Sequence, residues 1–288
     1  MAQSLKVIKN RIRSIQNTEK VTNAMQMISV SKLNRIDNLL YAVRPYFKKL
    51  ESLFYNLIQN RQSEGAFISP YLRESPAQEK KAVLCLLTSD NGLCGAYNNN
   101  IIRMSEDFIR RRGNEKVRLV IIGKKGFKYF SSRGFEILHS YIGLNGKFSE
   151  KICDEISNYL TSLFLSNQAD EIFLGFTHFE TALILKPTII KFLNIEHKPG
   201  EDIDYLFEPN LEEVLQEIIP RYISLKLRLV LLEAFTSEHA SRTVAMKAAT
   251  ENAKELLHKL ILLRNKVRQA NITRDILEII SSAEALKG

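Results

Sequence analysis

Apolar positions in the first sixty residues recur at helical spacing. Leu5, Ile8, Ile12 and Ile15 step by three or four. After a polar break at Asn17 to Lys20 the stripe resumes at Val21, Met25 and Ile28 and runs on through Leu33, Ile36, Leu40 and Val43. Pro45 removes one backbone donor and predicts a kink or restart, beyond which Phe47, Leu50, Phe54 and Leu57 keep the spacing. The opening segment reads as one long, bent helix. A second arm starts near Leu211, is interrupted at Pro220, and then runs without a breaker to about Leu286. In it Ala249, Ala253, Leu256, Leu260, Leu263, Val267 and Ala270 alternate steps of four and three, a coiled-coil seam over three heptads. The small residues Ala245, Ala248, Ala249 and Ala253 let a partner helix approach closely.

Between the arms the pattern alternates. An apolar run Ala82 to Leu87 precedes a helical stretch Ala96 to Arg112, a run Val117 to Ile122 and a short helix around Phe127 to Ser132. A strand-like piece Phe135 to His139, a helix from Ser149 to about Leu165 and a strand Glu171 to Thr177 follow. That order predicts an α/β domain with a largely parallel sheet. Ile184 to Leu193 contains Pro187, which cannot donate to a central ladder, and reads as an edge strand. All twelve glycines lie between Gly65 and Gly200 except Gly288, so the glycine-free ends suit helices and the punctuated middle suits a compact domain. The expected division is 1–60, 61–210 and 211–288. About 65 helical residues extend roughly 100 Å, against a radius of gyration of about 19 Å for a compact globule of this length. The last arm is therefore expected to project and pair with the first as an antiparallel coil. Two helices cannot bury the apolar tail Ile272, Ile276, Leu277, Ile279 and Ile280, which predicts a sleeve formed by another protein.

Composition narrows the function classes. With 45% hydrophobic and 25% charged residues among 288, the chain is that of an ordinary folded protein. Three cysteines without CxxC spacing provide no disulfide framework and suit a reducing interior. No apolar run approaches the roughly 20 residues needed to span a bilayer, and no export or transit pattern opens the chain. Of the net charge of +9, residues 1–60 carry +7, the middle 0 and the last arm +2. A basic arm suits nucleic acid, an anionic membrane or an acidic protein surface, and charge alone does not choose. The basic residues spread over several turns without a recognised nucleic-acid motif, which favours an acidic protein. The loop Ser89–Asn98 and the turn Gly123-Lys124-Lys125-Gly126 match neither the P-loop nor GxGxxG. Cys94 between two glycines is read as a structural thiol before a nucleophile, and Asp90 as a turn cap before a catalytic acid. The five histidines are scattered without zinc spacing. No cofactor or metal is expected.

Three segments carry a resemblance: Ile15 to Met27, Thr88 to Asn98, and Ser237 to Thr250 continuing into Asn265 to Thr273. Their words, IQNTEKVTNAMQM, TSDNGLCGAYN and SEHASRTVAMKAAT with NKVRQANIT, resemble the gamma subunits of F-type ATP synthases. Asn91 stands where that family commonly has Arg, and Asn23 where it commonly has Lys. The resemblance implies a non-catalytic rotor shaft. Its coil of terminal helices would enter the hexamer of alpha and beta subunits, and its α/β domain would sit with epsilon on the membrane c ring, peripheral to the cytoplasmic face of a bacterial membrane. It implies contacts to beta at Lys20, Met25, Lys32, Glu238, Arg242, Arg268, Gln269 and Thr273, an apolar bearing at Ile272, Ile276, Leu277, Ile279 and Ile280, and a foot at Tyr205. Arg242→Ala or Gln269→Ala is expected to lower activity of the complex and leave the isolated fold intact. A nucleic-acid-binding coiled coil and a small α/β enzyme using Cys94 or Asp90 remain the alternatives.

Overall fold

A computed structural model describes residues 5–64, 69–72, 81–195, 208 and 210–285, with side chains of 59–64 excluded. The elements are α1 (Leu5–Glu64), β1 (Ala82–Leu87), α2 (Tyr97–Arg112), β2 (Val117–Ile122), α3 (Lys124–Ser131), β3 (Ile137–Tyr141), α4 (Glu150–Leu165), β4 (Glu171–Phe179), β5 (Leu185–Leu193) and α5 (Leu211–Ala285). The chain separates into two compact units, Met1–Ile28 with Thr243–Gly288, and Ser29–Arg242. These boundaries cut through both long helices instead of falling at their ends.

In the larger unit the strands form one sheet in the order β3-β2-β1-β4-β5. β1 pairs in parallel with β2 and β4, and β2 with β3, while β5 is antiparallel to β4 at the edge. Pro187 sits opposite Thr177 on this edge strand, where a missing donor costs no ladder bond to a further strand. The period of two divides the core. Leu84, Leu86, Leu119, Ile121 and Phe173 face α2 and α3, packing on Ile101, Ile109 and Phe130. Val83, Cys85, Val120, Ile172 and Leu174 face a larger core built by α4 and by the adjoining stretches of α1 and α5. There the long helices run antiparallel. Phe54 stacks on Tyr222 with centroids 4.3 Å apart and planes 7° off parallel, and Arg44 pairs with Glu233 at 2.8 Å.

Several elements depart from the pattern reading. Neither proline interrupts its helix: Pro45 lies inside α1 and Pro220 inside α5. An interior proline costs about 3 kcal/mol, and burial of Leu215, Ile219, Tyr222 and Ile223 around Pro220 exceeds that at roughly 1.5–3 kcal/mol per large apolar side chain. α3 begins at Lys124 rather than near Phe127, because Asp90 Oδ1 accepts the Lys124 amide at 3.0 Å and fixes the helix start. β3 begins at Ile137, two residues late, because Phe135 packs edge-on against Phe130 at 5.2 Å before the strand starts.

In the smaller unit the covered line of α5 shares Ala249, Ala253, Leu260 and Val267 with the expected seam. Its other positions are Met246, Thr250, Leu257, Arg264 and Asn271, while Leu256 is 49% exposed and Leu263 38% exposed. The same shift occurs on α1. Its covered positions pass from Ile15 through Glu19, Thr22, Met25 and Gln26, whereas Val21 and Ile28 face outward. The isoleucines at 8 and 12 set the phase, and an unbroken three-four alternation then carries polar residues into the seam. Thr250 Oγ1 donates to Thr22 Oγ1 at 2.9 Å, so this polar layer is hydrogen-bonded.

The start of β4 holds a buried ion cluster. Glu171 accepts from Arg112 at 2.5 Å and pairs with Lys191 at 3.0 Å, and Arg112 lies over the Phe173 ring at 4.4 Å. Burial raises the Glu171 carboxyl, but the two cations outweigh it and hold it below the usual carboxylate range. A carboxyl lowered in the folded state binds fewer protons there than in the unfolded chain. Its contribution is therefore present above the unfolded value of about 4.3 and lost as pH falls through the lower folded value. Glu171→Gln is expected to cost about 2 kcal/mol at pH 7, with the gap to wild type closing on acidification. Denaturant titrations at pH 7 and at pH 3 check this, and a gap of constant size would refute it.

Candidate functional site

Loops at the carboxyl ends of β1, β2 and β3 converge on α5 in the larger unit. Three backbone amides donate to the carboxylate of Asp90: Lys124 and Gly143 to Oδ1 at 3.0 Å each, and Asn145 to Oδ2 at 2.7 Å. Asp90 is thus a cap that ties two loops to the one carrying it. Asn91 Nδ2 donates to Asn145 Oδ1 at 2.9 Å, and Ser89 Oγ donates to the Asn91 carbonyl at 2.6 Å. Cys94 is buried, accepts from Asn98 Nδ2 at 3.2 Å, and its carbonyl accepts from Ser241 Oγ at 2.7 Å. Leu93 is held at φ 61° and stands 58% exposed at the loop tip.

Arg242 locks this loop to α5. It pairs with Glu238 at 2.7 Å, and its guanidinium donates to the carbonyls of Asn91 and Gly92 at 3.3 Å each. The side chains of Arg242 and Glu238 are only 8% and 2% exposed. Burial pushes the Glu238 carboxyl up, and Arg242 pulls it partly back. His239, on the next position, is pushed down to about 4 by burial. It is therefore neutral at pH 7. Its Nε2 lies 3.0 Å from the Gly146 carbonyl and its Nδ1 3.2 Å from Arg242 Nη1, so Nε2–H donates and Nδ1 accepts.

The positions expected to touch a beta subunit therefore divide. Glu238 and Arg242 lie inside the larger unit, buried and paired with each other instead of lying on a solvated face. Lys32, in the same unit, is half-buried and its Nζ donates to the Asn145 carbonyl at 3.4 Å. In the smaller unit Lys20, Arg268, Gln269 and Thr273 are exposed and Met25 is half-buried. Ile272, Ile276, Leu277, Ile279 and Ile280 are 51 to 68% exposed. Tyr205 and the acids Glu201, Asp202 and Asp204 lie outside the described residues. The periodicity gave no sign of Glu233, which is buried and receives Arg44 from α1 at 2.8 Å and His178 from β4 at 2.6 Å. A lone acid within an apolar stretch, Leu231-Leu232-Glu233-Ala234-Phe235, was the available signal.

Comparison with known proteins decides the family. A family model described as ATP synthase matches residues 4–286. The chain is 35% identical over 290 residues to the ATP synthase gamma chain of Anaeromyxobacter sp. (strain Fw109-5), covering 99% of both. The chain belongs to the ATP synthase gamma chain family. It is also 37% identical over 292 residues to the gamma chain of Protochlamydia amoebophila, again over 99% of both. Among solved structures, a chain of the Euglena gracilis mitochondrial ATP synthase OSCP/F1/c-ring assembly superposes with a TM-score of 0.67 at 14% identity, over 98% of this chain and 94% of that one. At that identity the likeness shows the fold alone.

Proposed function

We propose that the chain is the central rotor shaft of an F-type ATP synthase, a non-catalytic subunit coupling proton flow through a c ring to the catalytic sites of an alpha/beta hexamer. The observation that carries this reading is the combination of gamma-chain identity over 99% of the sequence with an α5 end whose five large aliphatic residues are all more than half exposed. Such a stripe on a helix requires an apolar sleeve. Lys20, Met25, Arg268, Gln269 and Thr273, together with the more enclosed Lys32, are proposed contacts to beta, and Ile272 to Ile280 the bearing. Glu238 and Arg242 support these contacts from inside by fixing the loops against α5. The proposed foot is Tyr205, beside epsilon and the c ring. No helix among the described residues is long and apolar enough to cross a membrane. The proposed location is peripheral, on the cytoplasmic face of a bacterial membrane, held through the complex. Neither the relatives nor the fold neighbours favour the nucleic-acid reading.

The test is co-expression with the alpha and beta subunits of the same source, followed by subunit ratio and ATPase activity. One copy per three alpha-beta pairs and activity dependent on the chain are expected. Gln269→Ala should lower the activity of the assembled complex about tenfold, equivalent to one lost interaction of about 1.4 kcal/mol. As an exposed substitution it should leave the isolated chain's stability within about 0.5 kcal/mol. A chain that elutes apart from folded alpha and beta subunits overturns the shaft, and full activity of the Gln269 variant overturns its contact role.

A further inference from the structure

Among the described residues, a cavity of about 420 Å³ lies in the larger unit between the loop after β1, the start of α2 and the side of α3. That volume falls within the range of small-ligand sites. Its lining holds three cations, Lys125, Lys128 and Arg133, and no carboxylate. Lys125 and Lys128 stand three residues apart on α3 and share a face, about 4.5 Å apart along the axis. Neither has an ion-pair partner among the described residues. Arg133 lies over the Tyr129 ring at 3.6 Å, with Glu106 3.8 Å away and outside the lining. Unpaired like charges around one concave surface raise the local concentration of anions.

The hydrogen-bonding groups of the two walls differ. The first amides of α3 are all taken: Lys124 N donates to Asp90 at 3.0 Å, Lys125 N to the Ser89 carbonyl at 3.0 Å and Gly126 N to Thr88 Oγ1 at 3.0 Å. The lysines of this turn therefore reach the cavity without the amide cradle of a P-loop. On the opposite wall, no backbone amide from Gly92 to Ala96 finds an acceptor among the described residues. Lys125 reaches across to that wall, since a Cβ added at Gly92 would lie 3.7 Å from its Nζ. Open amides on one side and unpaired ammonium groups on the other suit an anion with several oxygens. A single carboxylate would meet one of the cations, whereas linked phosphates reach both lysines.

We infer that this cavity binds the phosphate groups of a small polyphosphate, held between Lys125, Lys128 and the Gly92–Gly95 backbone. The cavity lies wholly in this chain, so its ligand does not depend on the shaft reading. The test is equilibrium dialysis of the full isolated chain with pyrophosphate and with ATP at about 0.1 M salt. One saturable site is expected for each. Equal affinities assign recognition to the phosphates alone, and ATP binding more than about tenfold tighter assigns a nucleotide. Lys125→Gln combined with Lys128→Gln should weaken binding of both probes by about tenfold or more. The melting of the unliganded chain should stay unchanged, because both lysines are exposed. Asn99→Asp puts a carboxylate on the exposed α2 wall in the first helical turn, where the helix tolerates it, and should weaken binding by a similar factor. Lys6→Gln combined with Lys9→Gln alters the basic arm in the other unit and should leave the affinity unchanged. Absence of saturable binding by either probe overturns the site. Equal loss in the Lys6 and Lys9 variant, or full affinity in Asn99→Asp, overturns its place in this cavity.

Discussion

Replacing Arg242 with alanine is expected to destabilise the isolated chain by about 3–5 kcal/mol, the cost of removing one partner from a buried ion pair. This reverses the expectation from resemblance alone, which kept the fold intact and placed the loss in the complex. The reason is enclosure. Glu238 is 1% exposed, and without Arg242 its carboxylate loses its ion-pair partner and keeps only the weaker pull of Lys32. In the same step the Gly92 carbonyl loses its Arg242 donor, and the Asn91 carbonyl keeps that of Ser89 Oγ. Urea unfolding of the isolated chain measures the effect, and a change below about 1 kcal/mol would place the pair among ordinary surface bridges.

The pH dependence identifies the source of that loss. Burial already raises the Glu238 carboxyl in the wild type, and removing the cation that opposes it raises the carboxyl further. A raised carboxyl binds more protons folded than unfolded, so its stabilisation is full below the unfolded value and declines as pH climbs through the folded one. The deficit of the Arg242→Ala chain relative to wild type should therefore shrink from pH 7 to pH 5. A second substitution, Glu238→Leu, should recover much of the loss at pH 7, because an apolar side chain needs no counter-ion.

The sheet was legible because its strands are continuous apolar runs of a buried parallel sheet, and Ala82–Leu87 and Val117–Ile122 agree with expectation at both ends. The coil was harder to phase. Val21 and Leu256 are more hydrophobic than Thr22 and Thr250, yet the threonines occupy the seam. Helix phase is a collective property of many layers, which a local stripe does not override. Ser-Glu-His-Ala-Ser-Arg identified the place but not the role. The spacing of Glu238 and Arg242 by four residues suits a solvated ion pair equally well, and only the loops from Asp90 and Asn145, distant in sequence, enclose it. Asn91 illustrates the point. It differs from the residue common in the gamma family, but its backbone carbonyl is what Arg242 holds, and its side chain bonds Asn145.

Gly123→Ala is expected to cost about 4 kcal/mol, the sum of left-handed strain of 1–3 kcal/mol and overpacking of similar size. Gly123 joins β2 to α3 at φ 98°, and a Cβ there would lie 2.1 Å from the Thr88 carbonyl oxygen and 2.6 Å from its carbon. Those atoms cannot retreat. Thr88 N and Oγ1 both donate to the Ile122 carbonyl, at 2.8 and 3.0 Å, while Gly123 N donates to Tyr141 at 2.8 Å. Any shift would break the ends of three adjacent strands and misplace Asp90, two residues beyond Thr88. Gly134→Ala separates strain from crowding, since Gly134 has φ 75° with nothing within 4 Å of an added Cβ. It should cost about 1 kcal/mol. The difference between the two variants in urea unfolding then measures how closely the β2–α3 turn presses on β1. Equal costs would mean that Thr88 can yield, and that the loop carrying Asp90 and Asn91 is less firmly seated than its hydrogen bonds require.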